Sequence, residues 1–253
     1  MRDDRSVETT TWDLLTGPNF WDFWLGVAVG LCHVSAVPHL AASFASTGEF
    51  EADPTARSKT ALRMILVASR LGLDHPDTKA ALRRMNVGHR QVGLSEADMC
   101  YGLAVVAECP MWWAQNFGPH PWSATEVAAT IAFYSRLGRH MGIRDFPADR
   151  AGLQQLIEDY ERVHQSYSDI GARLVAAEIS NVAGERKLLR VASRVGLAAI
   201  LDDRTRSAIG LPRRSRTTRA IARTGLRTAS RLLARRAPLI PPLGVGDTVR
   251  TTV

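Results

Sequence analysis

The 253-residue sequence has few cysteines, and they do not form pairs. Cys32, Cys100 and Cys109 are widely spaced and make no CxxC motif. Disulfide frameworks and cysteine-based zinc sites need paired, closely spaced cysteines, so this pattern favours neither and suits a reducing compartment. The N-terminal segment MRDDRSVETTTWDLL is polar and acidic and lacks the apolar stretch of a secretory signal. We therefore expect a cytoplasmic protein.

The sequence also lacks the apolar–polar alternation of β-strands beyond a few residues. Apolar residues instead recur every three or four positions between capping residues and glycines, as in amphipathic helices. The most hydrophobic run, 20–37, is interrupted by Asp22 and His33 and is shorter than the roughly 20 apolar residues of a membrane span. We interpret it as a core helix. The sequence predicts an all-α fold, a single domain of eight or more helices.

Helix boundaries follow from caps and breakers. Ser95 and Ser123 begin capping boxes, and the second helix runs to Gly142. Pro110 is expected to interrupt the helix that follows Ser95. A long helix is predicted from Asp149, with one apolar stripe that continues beyond the histidine at position 164. The stripe consists of Leu153, Ile157, Tyr160, Val163, Tyr167, Ile170 and Leu174.

Acidic residues are missing from one stretch near the C-terminus. Residues 204–236 hold 11 of the 32 basic residues and none of the 25 acidic ones. We predict that residues 213–236 form a helix packed on the domain with its arginines outward, and we divide the chain into 1–203 and a basic region, 204–253. Such a helix binds an anionic membrane or a partner helix, or it lies on the domain with its charged face in solvent. Without interleaved aromatic residues, nucleic acid is not an expected partner. The arginine stripe consists of Arg216, Arg219, Arg223, Arg227 and Arg231.

No P-loop, dinucleotide fingerprint or GxSxG motif occurs, so histidines are the main candidates for chemistry. Glu161 and His164 match the ExxH of di-iron bundles, but that site needs a second ExxH, which is absent. His164 lies on an apolar stripe and is interpreted as a core histidine, although it remains an alternative iron ligand. His33 and His39 do not share a helix face, so they are not expected to form a zinc pair.

The segment DTKAALRRMNVGHRQVG, residues 77–93, is the strongest candidate site. It predicts a helix that begins at Asp77 as N-cap and ends at Gly93. Gly88 within it costs about 1 kcal/mol relative to alanine, unless a flat group must approach the backbone there. A haem whose iron is bound by His89 would be such a group. Alternatively, His89 interacts only with the dipole at the helix C-terminus.

A second predicted helix, residues 55–72, precedes this segment. A short connection would make the two helices an antiparallel hairpin. At 1.5 Å per residue the chain then returns His89 to the level of Arg57, Lys59 and Thr60. Lysine is scarce in this sequence, 3 residues against 29 arginines, which makes Lys59 notable.

The order of these segments resembles the MpaB and latex-clearing-protein group of haem-b oxygenases. The resemblance spans roughly residues 40–185. The four stretches that carry it are DPTARSKTALRMILVASRLGL, ALRRMNVGHRQVG, EADMCYGLAVVAECPMWWAQNFG and FYSRLGRHMGIRDFPADRAGLQQLIEDYE.

The resemblance implies that haem b is the cofactor and that His89 is its iron ligand. Gly88 departs from the family's pattern, but its missing side chain would let the haem lie close to the backbone, and Met85 and Arg57 would also contact the haem. Arg57, Lys59 and Thr60 would correspond to the polar, catalytic cluster on the other side of the haem. No glutamate matches the base of the rubber oxygenases, so rubber is not an expected substrate.

The sequence therefore leaves two candidate functions. The favoured one is a haem-b-dependent oxygenase, or another oxidative enzyme, that uses dioxygen on a small lipophilic or biosynthetic molecule in a buried haem pocket. Polar donors opposite the iron would stabilise charge on bound oxygen. The alternative is a non-catalytic helical protein whose basic helix contacts an anionic membrane or nucleic acid.

Overall fold

The computed structural model describes residues 4–46 and 56–236, and within them the chain forms helices and no strand. The all-α prediction is therefore confirmed. In chain order the helices are α1 (Asp4–Thr16), α2 (Phe20–Ser35), α3 (Pro38–Ala45), α4 (Ala56–Leu71), α5 (Pro76–Gln91), α6 (Glu96–Asn116), α7 (Ala124–Met141), α8 (Arg150–His164), α9 (Asp169–Ala183), α10 (Lys187–Ile200), α11 (Asp203–Ala208) and α12 (Arg216–Leu233).

Helix α6 is central because it carries buried residues on opposite sides. One side, with Leu103, Ala107 and Met111, belongs to a core shared with α1, α2, α4, α5 and α7. The other side belongs to a second core shared with α2, α9 and α10. A helix with apolar residues on all sides must be covered on all sides, and residues 100–114 of α6 are all buried or half-buried. The residues of α6 in the second core are Tyr101, Val105, Cys109, Trp113 and Phe117.

Helices α2 and α6 cross in close contact. A Cβ at Gly26 of α2 would lie 2.3 Å from the Cα of Pro110, so only glycine allows this approach. The predicted interruption at Pro110 is wrong, because α6 continues through it to Asn116. Proline removes one hydrogen bond of a helix and disturbs the preceding turn. Close packing against the backbone of α2 offsets that local cost.

Two other predicted boundaries are corrected. Helix α5 has His75, not Asp77, as its N-cap, since the His75 Nδ1 accepts a hydrogen bond from the Asp77 amide at 3.3 Å. Pro76 occupies the first helical position, where its missing N–H costs nothing. The long helix predicted from Asp149 is two helices, α8 and α9.

The break between α8 and α9 has a packing cause. The Ser166 amide leaves the helical pattern and donates to the Ala36 carbonyl at 3.2 Å, at the corner between α2 and α3. Ser168 then caps α9 through the Gly171 amide. As a result, Val163 and Tyr167 are exposed and do not continue the predicted apolar stripe.

Helix α12 forms within the predicted basic region and packs against α10, where Leu226 contacts Gly196. Its arginines are not all outward, which corrects the prediction. The Arg227 Nε donates to the Asn116 carbonyl at 2.9 Å, and the Arg223 guanidinium lies over the Phe117 ring. Both cations thus meet the C-terminus of α6, where backbone carbonyls are unpaired and carry partial negative charge.

No single helix of residues 4–46 and 56–236 is long and apolar enough to cross a membrane. Helices α2 and α3 together would meet the criteria of length and composition, but they are bent by 104° at their junction.

A buried carboxyl group connects α12 to α2. Asp22 is 2% exposed, and the Ser230 hydroxyl donates to its Oδ1 at 3.0 Å. Burial raises the pKa of Asp22 to about 6, although hydrogen bonds from Ser230 and Trp113 and the charge of His120 act in the opposite direction. The fold therefore favours the protonated carboxyl, and Asp22 should make stability depend on pH.

Because the pKa of Asp22 is higher in the folded state than in the unfolded state, its contribution is complete below about pH 4 and is lost as pH rises through about 6. We expect Asp22→Asn, which cannot ionise, to gain about 3 kcal/mol of unfolding free energy relative to wild type between pH 4 and pH 8. Urea denaturation across this range measures the difference. The exposed control Asp145→Asn should show no such trend, and a trend equal in both variants would contradict the assignment.

Candidate active site

Helices α4 and α5 form the predicted pair around His89. Residues 72–75 connect them, and the two helices pack against each other. Helix α5 also contacts α7, since the Asn86 side chain donates to the His140 carbonyl at 2.9 Å. This second contact holds the C-terminal part of α5, which carries His89, against the domain.

His89 lies in the last turn of α5 and is half-buried. It shares a helix face with Leu82 and Met85, which stand seven and four residues before it. Leu82 is buried in the core, and Met85 packs against that core. The side of α5 that carries His89 is therefore its apolar, inward side.

The space beside Gly88 is open. A Cβ at Gly88 would meet no atom of another described element within 4 Å, in contrast to Gly26 on α2. Close packing against another helix therefore does not explain this glycine. The open space would admit the edge of a flat group next to the imidazole of His89.

The predicted polar partners of His89 lie in the first turns of α4. Thr60 is exposed. Arg57 and Lys59 are helical, but their side chains fall outside the described part of the structure. The common cavity for these residues and His89 thus stays a prediction.

His164 is not a core histidine, which corrects the sequence interpretation. It is the last residue of α8 and is exposed. Its ring contacts those of Tyr160 and His39, with centroid distances of 4.3 and 5.6 Å. The apolar stripe ends before His164 because the chain leaves the helix at this point.

A buried polar cluster lies between α2, α6 and α8. The His33 Nδ1 is 2.7 Å from the Glu161 Oε1, and the Tyr101 hydroxyl donates to the same oxygen at 2.9 Å. Burial lowers the pKa of His33, but the hydrogen bond and charge of Glu161 outweigh this effect, so the net pKa is raised. Burial and the charge of Glu161 raise the pKa of Tyr101 well above its usual value. We call His33, Glu161 and Tyr101, together with the nearby Asp202, the His33 cluster.

A second cluster adjoins the first through stacked rings. Tyr101 stacks on Tyr160 with the centroids 4.2 Å apart and the planes 12° from parallel. The Tyr160 hydroxyl makes a short hydrogen bond to the Asp98 Oδ1, and the His39 Nε2 lies 2.8 Å from the same oxygen. Burial alone would raise the pKa of Asp98, but bonds from Tyr160, His39 and Ser95 lower it to about 2.

Sequence reasoning missed both clusters. It identified Glu161 within an ExxH motif, yet the histidine that contacts Glu161 is His33 on α2 and not His164 on α8. His33 interrupts an apolar run, which is a weak signal of a buried partner. The long separation between His33 and Glu161 makes this pair visible only once α2 and α8 are placed around α6.

The family comparison agrees with this architecture. Residues 19–234 match the model described as the ER-bound oxygenase mpaB/B′ and rubber oxygenase catalytic domain. The chain belongs to this family. The match runs from the start of α2 through the end of α12 and so includes the basic helix and both cores except for the residues of α1.

The predicted relationship to the MpaB/rubber oxygenase family is confirmed by this match. Membership supports an oxygenase, an enzyme that uses dioxygen on a small molecule. No curated protein and no solved structure matches the chain significantly. The roles of individual residues in this MpaB/rubber oxygenase domain therefore rest on their chemistry and surroundings.

The hydrogen bonds that Asp98 accepts from Tyr160, His39 and Ser95 should contribute to the stability of the fold, and this contribution can be measured. Because its pKa is lowered, Asp98 stabilises the fold above about pH 4 and loses this effect as pH falls through about 2. We expect Tyr160→Phe to remove a hydrogen bond to a charged group and to lower the unfolding free energy at pH 7 by about 1.5–3 kcal/mol. The loss should shrink at pH 2, where Asp98 becomes protonated.

Tyr167→Phe is the matched control, because Tyr167 is exposed and donates to Asp169 at 2.8 Å. Its effect should stay within about 0.5 kcal/mol. Urea denaturation of wild type, Tyr160→Phe and Tyr167→Phe at pH 7 and pH 2 measures these differences in unfolding free energy. Equal effects of the two substitutions would contradict a special role for the half-buried pair of Tyr160 and Asp98.

Proposed function

We propose that this MpaB/rubber oxygenase-family enzyme depends on haem b and that His89 binds the haem iron. Its substrate would be a small lipophilic or biosynthetic molecule, oxidised with dioxygen. The observation that carries the proposal is the half-buried imidazole of His89 on the apolar face of α5, beside the open space at Gly88. Family membership supports the oxygenase class and disfavours the non-catalytic alternative.

The residues around His89 suit a haem chemically. Imidazole is a common axial ligand of haem iron, and porphyrins need apolar surface. Met85 on the same helix face offers such a surface, and Gly88 leaves room for the ring edge. The donor type and the shape of this face thus fit the group.

Each residue has a defined task in the proposal. The neutral imidazole of His89 would hold the metal through one ring nitrogen, while an acceptor on the other nitrogen would set its orientation. Arg57, Lys59 and Thr60 would supply hydrogen-bond donors that favour negative charge on bound oxygen. Haem b, when bound, supplies the redox-active iron, and the protein supplies orientation and selectivity.

The buried, unbridged cysteines Cys32, Cys100 and Cys109 suit a reducing compartment. We therefore propose a cytoplasmic enzyme.

The haem assignment is tested by His89→Ala. The variant should lose the Soret band or retain only a small part of it, because the iron loses its protein ligand. Added imidazole should restore part of the absorbance if the cavity is intact. The control His164→Ala removes an exposed histidine and should leave the spectrum of wild type.

Lys59→Ala and Thr60→Ala refine the same test. Both variants should retain haem. Their absorption spectrum or their turnover should differ from that of wild type, because polar groups near the site of oxygen binding have changed. A colourless wild type produced with haem available would exclude haem b. An unchanged spectrum of His89→Ala would assign the iron to another ligand.

We further propose that helices α10 and α12 form a peripheral contact with an anionic membrane. These helices pack against each other and expose large apolar side chains, among them Leu188 at 87% and Ile221 at 69%. Exposed arginines lie in or next to both helices. Apolar residues among arginines match the requirements of an interfacial helix on anionic lipid. The arginines are Arg186, Arg190, Arg194, Arg216 and Arg231.

Sedimentation with vesicles tests this contact. Binding should require phosphatidylserine in phosphatidylcholine vesicles and should weaken at high salt. The double variant Leu188→Ser/Ile221→Ser should bind about tenfold more weakly, because apolar area no longer enters the interface. Val163→Ser, at an equally exposed site on α8, should bind like wild type. Salt-sensitive binding to DNA without binding to vesicles would contradict the proposal.

A further inference from the structure

Three side chains with metal-ligating atoms converge at one end of α8. They are His33 of α2, Glu161 of α8 and Asp202 of the connection between α10 and α11. One ligand atom from each lies within 4.8 Å of the others. More than 120 residues separate the first of these side chains from the other two, so this convergence results from tertiary packing.

Neighbouring groups hold both carboxylates in place. The Tyr101 hydroxyl donates to the Glu161 Oε1 at 2.9 Å, and Tyr101 is itself fully buried. The Asp202 Oδ1 accepts hydrogen bonds from the amides of Arg204 and Thr205, at 2.9 and 3.0 Å. Outer hydrogen bonds of this kind orient metal ligands in proteins. The cluster therefore has supporting interactions as well as ligand atoms.

Access and spacing also suit a cation. Glu161 is buried, whereas Asp202 is exposed, so the cluster has an interior side and a route to solvent. Ligands about 2.0–2.2 Å from a zinc ion lie roughly 3–3.5 Å apart. The His33 Nδ1 and the Glu161 Oε1, now 2.7 Å apart in a hydrogen bond, would have to separate slightly, and all three ligand atoms already lie within 4.8 Å of one another. Small side-chain rotations would thus place a cation among the three groups.

We propose that His33, Glu161 and Asp202 bind one divalent transition-metal ion of the zinc type. One imidazole with two carboxylates favours zinc, iron or manganese over magnesium and calcium, which prefer oxygen ligands alone. The two carboxylates with a neutral imidazole carry two negative charges, which the cation balances. Three protein ligands leave a coordination position for water.

This site is separate from the proposed haem site. None of its ligands belongs to α4 or α5, and the haem assignment of His89 does not enter the argument. The alternative for the same geometry is an ion pair between His33 and Glu161 without metal. Direct metal binding distinguishes the two.

The experiment uses the purified full chain after dialysis against EDTA, which does not remove haem iron. Calorimetric titration with Zn²⁺ should give one ion per chain. Co²⁺ should produce visible d–d bands that Zn²⁺ abolishes by competition. Asp202→Asn should weaken Zn²⁺ binding at least about tenfold, and it keeps an N-cap because asparagine also caps helices.

Two further variants sharpen the result. Glu161→Gln should weaken Zn²⁺ binding to a similar degree while it retains an oxygen acceptor for Tyr101. Asp203→Asn removes a negative charge from the next residue, which pairs with Arg206 and is not a ligand, and should bind Zn²⁺ like wild type. Thermal denaturation of each metal-free variant shows whether it is folded.

Several outcomes would overturn the proposal. Wild type that binds no Zn²⁺ would make the cluster an ion pair only. Zn²⁺ binding that is unchanged in folded Asp202→Asn and Glu161→Gln would place the ion elsewhere. An equal loss of Zn²⁺ affinity in Asp203→Asn would show that the affinity depends on overall negative charge and not on ligation by Asp202.

Discussion

The architecture depends on the close crossing of α2 and α6. Gly26 brings the backbone of α2 onto Pro110, and no larger residue fits between them. This contact fixes α6 between two cores, so the helices that pack on either side take their positions from it. Interiors of proteins are close-packed, and a shift at this crossing would disturb both cores at once.

Two buried carboxylates inside this framework are paired with side chains of other helices. Glu108 accepts hydrogen bonds from Arg150 at 2.9 Å and from Gln154 at 2.8 Å, and Glu161 contacts His33 and Tyr101. Removal of one partner from a buried pair leaves an uncompensated charge, which costs more than the pair contributes. These pairs therefore constrain how α8 sits on α6 and α2, in addition to the apolar contacts.

The proposed haem site and the proposed metal site occupy different parts of this framework. His89 stands at the end of α5, which α4 and α7 hold against the first core. The His33 cluster lies where α2, α6 and α8 meet. The end of α5 that carries His89 is half-buried. In the His33 cluster Glu161 is buried and Asp202 is exposed, so an ion held there would lie between the interior and solvent.

The sequence alone determined the helical class and much of the outline of the helices. Periodic apolar residues and the caps Ser95, Ser123 and Gly142 are local signals, and they predicted helices that the structure contains. The resemblance in segments 53–73 and 81–93 also identified the oxygenase family, because it rests on the order of residues along the chain. The pairing of α4 with α5 followed from a short connection.

Only the tertiary structure decided the rest. Pro110 continues a helix because α2 packs on it, and the break after His164 exists because Ser166 bonds to the α2–α3 corner. Arg223 and Arg227 contact the C-terminal end of α6 because that end lies next to α12. The partnership of His33 with Glu161 likewise joins residues 128 positions apart. Local patterns carry no information about such contacts, since these depend on how separate helices pack in space.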